Sequence, residues 1–152
     1  MNQLTELRLY TWTLYQLSSI QQGIQAGHAA IELAMKTNRE RGENPEAWQF
    51  YCHWGETWKT MICLNGGDLN ELVELRNFFA TAENSLPWAE FYEDSSLGGC
   101  LTSIAMIIPD RIFKTAEEIR KNRSAYGVAP DETFTPFEWE LIKLLTNSSK
   151  AR

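Results

Sequence analysis

The alternation of strand-like apolar segments with helix-like amphipathic ones constrains the fold of this 152-residue chain most strongly. Residues 8–17 (RLYTWTLYQL) are rich in Leu, Tyr, Trp and Thr, which are typical of a half-buried strand. Further strands are predicted at residues 57–65, 88–93 and 100–108, and the last is apolar enough to be central in a sheet. Helical segments between them predict right-handed strand–helix–strand units, which produce parallel strand pairs.

The segment after the first strand predicts a helix over residues 20–36. Ser19 is its predicted N-cap, and Gln22, three residues on, completes a capping box. A stripe of apolar and small residues recurs with helical spacing and is predicted to pack on the sheet: Ile20, Ile24, Gly27, Ile31 and Ala34.

Three later helices have comparable start signals, and the first of them extends through about Glu83. The signals are Asp68 with Glu71, Pro109 with Asp110, and Thr135 with Pro136 and Glu138. Residues 37–56, between the first helix and the second strand, are predicted to form a long loop or a broken short helix.

The resulting element order, β-α-β-α-β-β-α plus a terminal helix, predicts an α/β fold. We expect a mixed four-stranded sheet flanked by helices, with the third and fourth strands antiparallel because a short link joins them. Residues 1–123 are predicted to form this domain, and residues 124–152 a linker with an extra C-terminal helix.

Charge and cysteine content exclude some classes of function. The formal net charge of -6 disfavours extensive contact with a phosphate backbone, and the basic residues of segment 111–123 indicate either a solvated helix face or a local patch. Three cysteines without a C-x-x-C motif predict neither a zinc site nor a disulfide framework, and no cofactor is expected. Without a signal peptide or a membrane-length apolar run, we expect a cytoplasmic protein with no membrane partner.

Two short segments carry a resemblance to a known family. Residues 20–36 (IQQGIQAGHAAIELAMK) resemble the opening helix of the type 2 peptidyl-tRNA hydrolases, roughly G-K-x-A-A-Q-x-x-H-A, with Gln25, His28 and Ala29 on its Gln, His and Ala. The second segment, residues 93–96 (EDSS), resembles the family's Q-D-A-G-R-T-Q turn.

In that turn Asp94 falls on the family's aspartate, and Thr102 opens the strand that follows. The resemblance implies a homodimer that acts on the peptidyl-adenosine end of tRNA, and six Trp and seven Phe also favour a buried interface. Two positions depart from the family: Gln21 stands in place of a lysine, and residues 97–98 (LG) in place of Arg-Thr. A cation there would hold a phosphate or polarise an ester carbonyl.

The catalytic residues we predict are Asp94 and His28, at one end of the sheet. Asp94 would orient water or bind a ribose hydroxyl, and otherwise it only caps its turn. His28 would act as a base or ligand donor near neutral pH, and otherwise it is a structural histidine. The predicted ligand-binding residues are Gln21, Gln25, Ser95, Ser96, Thr102 and Lys59, together with the N-terminus of the first helix as a phosphate site.

The aromatic cluster of His53, Trp54 and Trp58 indicates either a stacking surface for a base or a packed core or dimer face. Three functions remain open from the sequence. The first is a divergent family member that binds a small nucleotide and hydrolyses an ester or phosphodiester bond. The second is a genuine peptidyl-tRNA hydrolase, and the third is a viral-type protein that sequesters or cleaves a nucleotide immune signal.

Overall fold

The computed structural model describes residues 5–95, 98–122 and 132–151. Its strands are β1 (Leu7–Thr13), β2 (Met61–Asn65), β3 (Trp88–Tyr92) and β4 (Leu101–Pro109). Its helices are α1 (Ser19–Arg39), α2 (Pro45–His53), a short π-helix (Trp54–Trp58), α3 (Leu69–Phe79), α4 (Asp110–Lys121) and α5 (Pro136–Asn147).

The strands form one mixed sheet in the order β2-β1-β4-β3. β1 and β2 are parallel, as the strand–helix–strand pattern predicts, while β4 is antiparallel to both β1 and β3. The predicted α/β class with a four-stranded mixed sheet is therefore confirmed. β4 occupies a central position and is buried along its whole length, which explains its continuous apolar sequence.

Helices cover the two faces of the sheet. Alternate residues of β1 divide between them, because successive strand side chains point to opposite faces. Leu7 and Leu9 pack beneath α1, together with Ala29 and Leu33. On the other face Trp12 belongs to the larger apolar cluster, which α3, α4 and α5 complete with Leu72, Phe79, Ile112, Phe113, Leu141 and Ile142.

The prediction for the buried side of α1 is wrong. Ile20, Ile24 and Ile31 are 78%, 51% and 61% exposed, and the helix instead turns a face containing Ala26 and Ala29 to the sheet. Alanines let the helix approach the strands closely, whereas the isoleucine spacing alone could not identify which of two helix faces is inward. The N-cap is also one residue earlier than predicted, at Ser18, with Gln21 in the capping box.

The remaining helices agree more closely with the sequence signals. Asp68 caps α3 through a capping box with Glu71, and Thr135 caps α5. Segment 37–56 is mostly helical, since α1 extends to Arg39 and α2 follows after a short turn. The linker predicted after α4 lies largely in residues 123–131, outside the described residues, while α5 packs on α4 and buries Leu141 in the core.

Candidate functional site

The predicted site residues of α1, β3 and β4 meet at one end of the sheet. β1 ends at Thr13, which pairs with Ser103 near the start of β4, and α1 begins a few residues later. β3 ends at Tyr92, opposite Leu101, so the turn that carries Asp94 lies at this same end. Loops and helix starts at a strand end are common ligand sites in α/β sheets.

A β-bulge turns Thr102 towards α1. Phe91 pairs with Ser103 and Tyr92 with Leu101, so Thr102 is an extra residue between two paired positions. Such a bulge re-aims a side chain that would otherwise follow the alternation of the strand. The buried Thr102 hydroxyl donates a 2.7 Å hydrogen bond to Gln25 Oε1 of α1.

Gln25 links this hydroxyl to a carboxylate. Its Nε2 donates a hydrogen bond to Glu93 Oε1, directly after β3, while its Oε1 accepts from Thr102. Both ends of the amide are thus used, and the side chain is only 8% exposed. The chain Thr102–Gln25–Glu93 fixes a partly exposed carboxylate beside the start of α1.

Glu93 is the functional candidate that sequence reasoning missed. The residue directly precedes Asp94, but only its contact with Gln25 distinguishes it from an ordinary surface glutamate. That contact joins positions 68 residues apart in the sequence, so no local pattern reveals it.

His28 lies one turn beyond Gln25 and stacks on Phe91 of β3. Their ring centroids are 4.5 Å apart and the planes differ by 8°. The imidazole is exposed, so one face contacts the phenyl ring while its nitrogens remain accessible from solvent. His28 and Phe91 thus form a two-ring stack next to the Gln25 network, and one face of the imidazole is turned away from Phe91.

The two glutamines before Gln25 have structural contacts. Gln21 completes the cap of α1: its backbone N–H donates to Ser18 Oγ, and its Oε1 accepts from the Ser18 N–H. Gln22 Nε2 donates to the carbonyls of Tyr15 and Leu17, at 3.2 and 2.9 Å, and holds the β1–α1 loop. The predicted capping role of Gln22 is therefore wrong: Gln21 completes the cap, and Gln22 binds the loop instead.

The turn after β3 presents Asp94 and Ser95 to solvent. The Asp94 carbonyl accepts from the Gly99 N–H at 3.1 Å, and the Ser95 carbonyl accepts from the Gly98 N–H at 3.2 Å. Gly98 and Gly99 have φ values of 92° and 61°, a left-handed conformation that favours glycine. Ser96, another predicted ligand residue, lies outside the described residues.

Lys59 does not join this group. Met61, the first residue of β2, pairs in parallel with Leu9 near the start of β1, so Lys59 lies towards the opposite end of the sheet. The aromatic cluster before it serves packing, because Trp58 Nε1 donates to His53 Nε2 at 3.1 Å and Trp54 Nε1 donates to the Thr60 carbonyl at 2.8 Å.

A polar layer lies between α1 and the strands. The described residues bury seven polar side chains: Thr11, Thr13, Gln22, Gln25, Thr37, Thr102 and Ser103. The hydroxyls of Thr13 and Ser103, which are partners across β1 and β4, have no hydrogen-bond partner within the described part of the chain. Buried polar groups usually have partners, so these two hydroxyls are exceptions within the layer.

Three of the basic residues of segment 111–123 have structural partners: Arg111, Lys114 and Arg120. Arg111 pairs with Glu138 at 2.5 Å, and Arg120 donates to the carbonyls of Leu145, Thr146 and Ser148 at the end of α5. These contacts favour the solvated-face interpretation over a patch for nucleic acid.

A cavity of about 640 Å³ lies on the other face of the sheet, between β1, β2, α4 and the end of α5. Arg8 and Tyr10 line it, and Arg8 is paired with Glu117 at 2.7 Å and lies over the Phe113 ring. Burial raises the pKa of Tyr10, although the nearby Arg8 opposes this effect. The two arginines that line the cavity already have partners: Arg8 pairs with Glu117, and Arg120 donates to carbonyls at the end of α5.

The described residues contain no group of three or more His, Cys, Asp or Glu side chains placed to bind a metal ion. None of their helices has both the length and the apolar character needed to cross a membrane. The chain matches no protein-family model, and no curated protein sequence matches it significantly.

Proposed function

We propose that this chain is a divergent type 2 peptidyl-tRNA hydrolase-like protein of the cytoplasm. In this proposal it binds a nucleotide at the start of α1 and hydrolyses an ester or phosphodiester bond of that ligand. The observation that carries the proposal is the network in which Gln25 connects the buried Thr102 hydroxyl with the Glu93 carboxylate.

This network contributes little to the stability of the fold by itself. A buried amide and hydroxyl stabilise a protein little beyond an apolar pair, and each costs about 1–3 kcal/mol when left without a partner. What the network does supply is a carboxylate held in one position, which suits a group that orients water or accepts a hydrogen bond from a ligand.

The groups around this network suit different parts of a nucleotide. Glu93 and Asp94 carry negative charge, so they favour ribose hydroxyls or base amino groups over a phosphate. The first turn of α1 contains no acidic side chain, and a helix N-terminus attracts anions, which makes it the better place for phosphate. The His28–Phe91 pair offers a surface on which a base can stack.

Hydrolysis then requires a positioned water molecule. In the proposed mechanism Asp94 and His28, with Glu93 fixed beside them, hold this water and accept its proton during attack on the ester or phosphorus centre.

A second candidate function is sequestration of a small nucleotide without cleavage. Gln21 stands where the family has lysine, and its side chain belongs to the helix cap. The side chains joined around Gln25 are neutral or acidic, so the charge stabilisation that speeds ester cleavage is weak there. Such a site favours recognition over turnover.

Incubation with peptidyl-tRNA and with a panel of cyclic and linear nucleotides, followed by chromatography, tests both candidates. Cleaved product supports the enzyme, and a ligand retained intact supports sequestration. Gln25→Leu should abolish either result, whereas the control Thr37→Val should not, because Thr37 is a buried residue near the far end of the same helix. A panel in which nothing is cleaved or retained would contradict the proposal.

A further inference from the structure

A second crevice opens at the carboxyl ends of β1 and β2. These two strands are parallel and end level with each other, since Thr13 pairs with Asn65. The chain then leaves them towards opposite faces of the sheet: α1 packs on one face and α3 on the other. In open α/β sheets, ligands commonly bind in the crevice that forms where the connections diverge in this way.

A cavity of about 540 Å³ occupies this crevice, and its volume lies within the range of small-molecule sites. Tyr15 of the β1–α1 loop and Asn65 at the end of β2 line it, and α3 adds Glu71 and Glu74. The segment after α5 forms a further wall. The Asn65 N–H donates to the Ser149 carbonyl at 2.8 Å, which fixes this wall to β2.

The two loops at the base of the cavity are tied together. The Gly66 N–H donates to the Thr13 carbonyl at 2.7 Å, and the Tyr15 N–H donates to the Gly67 carbonyl at 3.0 Å. A Cβ at Gly66 would come within 2.8 Å of the Thr13 carbonyl oxygen and of Leu72, and Gly67 has a φ of 78°, so the loop depends on both glycines. The cavity is therefore formed before any ligand arrives.

The side chains around the cavity carry negative charge. Glu71 and Glu74 line it, and none of the described residues that line it is Lys, Arg or His. Glu71 Oε2 accepts from the Asp68 N–H in the cap of α3, whereas the exposed Glu74 carboxylate has no hydrogen-bond or ion-pair partner in the described parts of the chain. A cleft lined by one sign of charge attracts ligands of the opposite sign, so this cavity favours a cation.

Two aromatic residues add to this charge. Tyr15 is 57% exposed, and an exposed ring can hold both a cation and the C–H face of a sugar. Trp12 forms part of the cavity wall; it is only 1% exposed, and its Nε1–H has no hydrogen-bond partner among the described residues. Buried donors without a partner are uncommon, and an acceptor on a ligand, directly or through a water molecule, would satisfy this one.

We propose that this crevice binds a small hydroxylated organic cation of the aminosugar class. The ammonium group pairs with Glu74, one face of the sugar ring lies on Tyr15, and the ring hydroxyls exchange hydrogen bonds with Asn65. A metal ion fits less well, because the described residues hold no group of three His, Cys, Asp or Glu side chains placed to bind one. The crevice opens towards α3, whereas the Gln25 network lies beneath α1, so this site stands whether or not the other binds a nucleotide.

Amide chemical shifts of isotope-labelled protein, recorded during titration with glucosamine at slightly acidic pH, test the proposal. Glucosamine should give saturable shifts centred on Tyr15, Asn65 and Glu74. N-Acetylglucosamine keeps the sugar ring but loses the positive charge, so it should bind about 10-fold more weakly or worse, the usual effect of losing one charge-assisted hydrogen bond.

Substitutions at exposed positions separate the site from the fold. Glu74→Gln should raise the Kd for glucosamine by about 10-fold, and Tyr15→Ser should also raise it, while both variants keep the melting temperature of the wild type because both side chains are exposed. Glu118→Gln is the matched control, since it removes an exposed carboxylate of α4 that does not line the cavity.

Three results would overturn the proposal. They are the absence of saturable shifts with glucosamine, equal binding of glucosamine and N-acetylglucosamine, and an affinity that Glu74→Gln leaves unchanged. Shifts with magnesium chloride but none with glucosamine would also overturn it, because they would assign the carboxylates to a metal ion.

Discussion

The hydrogen bond between Gln25 and Thr102 can be measured by a double-mutant cycle. Gln25→Leu leaves the Thr102 hydroxyl, which is 5% exposed, without its acceptor, and it removes the donor to Glu93. A buried group without a partner costs about 1–3 kcal/mol. For a domain of this size that corresponds to a fall in melting temperature of roughly 2–4 °C per kcal/mol.

Thr102→Val alone should cost less, because Gln25 keeps its contact with Glu93. In the double variant both partners are apolar, so its loss of stability should be smaller than the sum of the two single losses. We expect a coupling free energy of about 0.5–3 kcal/mol between the two residues.

The assay is urea denaturation of wild type, both single variants and the double variant, followed by tryptophan fluorescence. Slopes that agree among the four proteins would show that the comparison concerns stability alone. Additive losses, with a coupling free energy near zero, would refute the inference that the bulge at Thr102 exists to meet Gln25.

Other substitutions test single groups. Asp94→Asn should lower turnover by about 100-fold with a nearly unchanged melting temperature, and unchanged turnover and affinity would make Asp94 a bystander. Gln21→Lys should raise peptidyl-tRNA cleavage, since one charge-assisted hydrogen bond contributes about 1–3 kcal/mol, and no gain in a folded variant would argue for a different ligand. Thr13→Val should keep or raise the free energy of unfolding, because it removes a buried hydroxyl without a partner; a clear loss in urea would contradict this. Arg120→Met should lower the melting temperature by several degrees through loss of its contacts at the end of α5, and an unchanged value would show that these contacts contribute little.

Most strands and helix starts were predictable because they depend on local sequence, although α1 is capped by Ser18 rather than Ser19 and β2 begins at Met61 rather than at residue 57. The continuous apolar run of β4 indicated a central strand, and Asp68 and Thr135 indicated helix caps from their own side chains and those three residues on. A helix cap is a contact within one turn, so the sequence contains all of its participants.

The inward face of α1 was not predictable in the same way. Periodicity identifies an apolar face, but it does not distinguish a face that packs on the sheet from one left on the surface. Here Ala26 and Ala29 face the sheet, with Gln25 between the helix and the strands, while the isoleucines face outward.

The candidate site was predictable only in part. Gln25, His28 and Thr102 were identified by the family resemblance, and the strand directions place them at one end of the sheet. The contact of Thr102 with Gln25 depends on the bulge in β4. The contact of Gln25 with Glu93 and the stacking of His28 on Phe91 depend on the close approach of α1 to β3, which no local sequence signal encodes.

Amide chemical shifts of isotope-labelled protein, recorded during titration with peptidyl-adenosine and with cyclic and linear nucleotides, test the central claim most directly. The proposal predicts that a binding ligand shifts the resonances of Gln25, His28 and Glu93, and that Thr37→Val preserves these shifts while Gln25→Leu removes them. Shifts centred instead on Arg8 and the cavity of the opposite sheet face, or no shifts with any ligand at millimolar concentration, would contradict a nucleotide site at the start of α1.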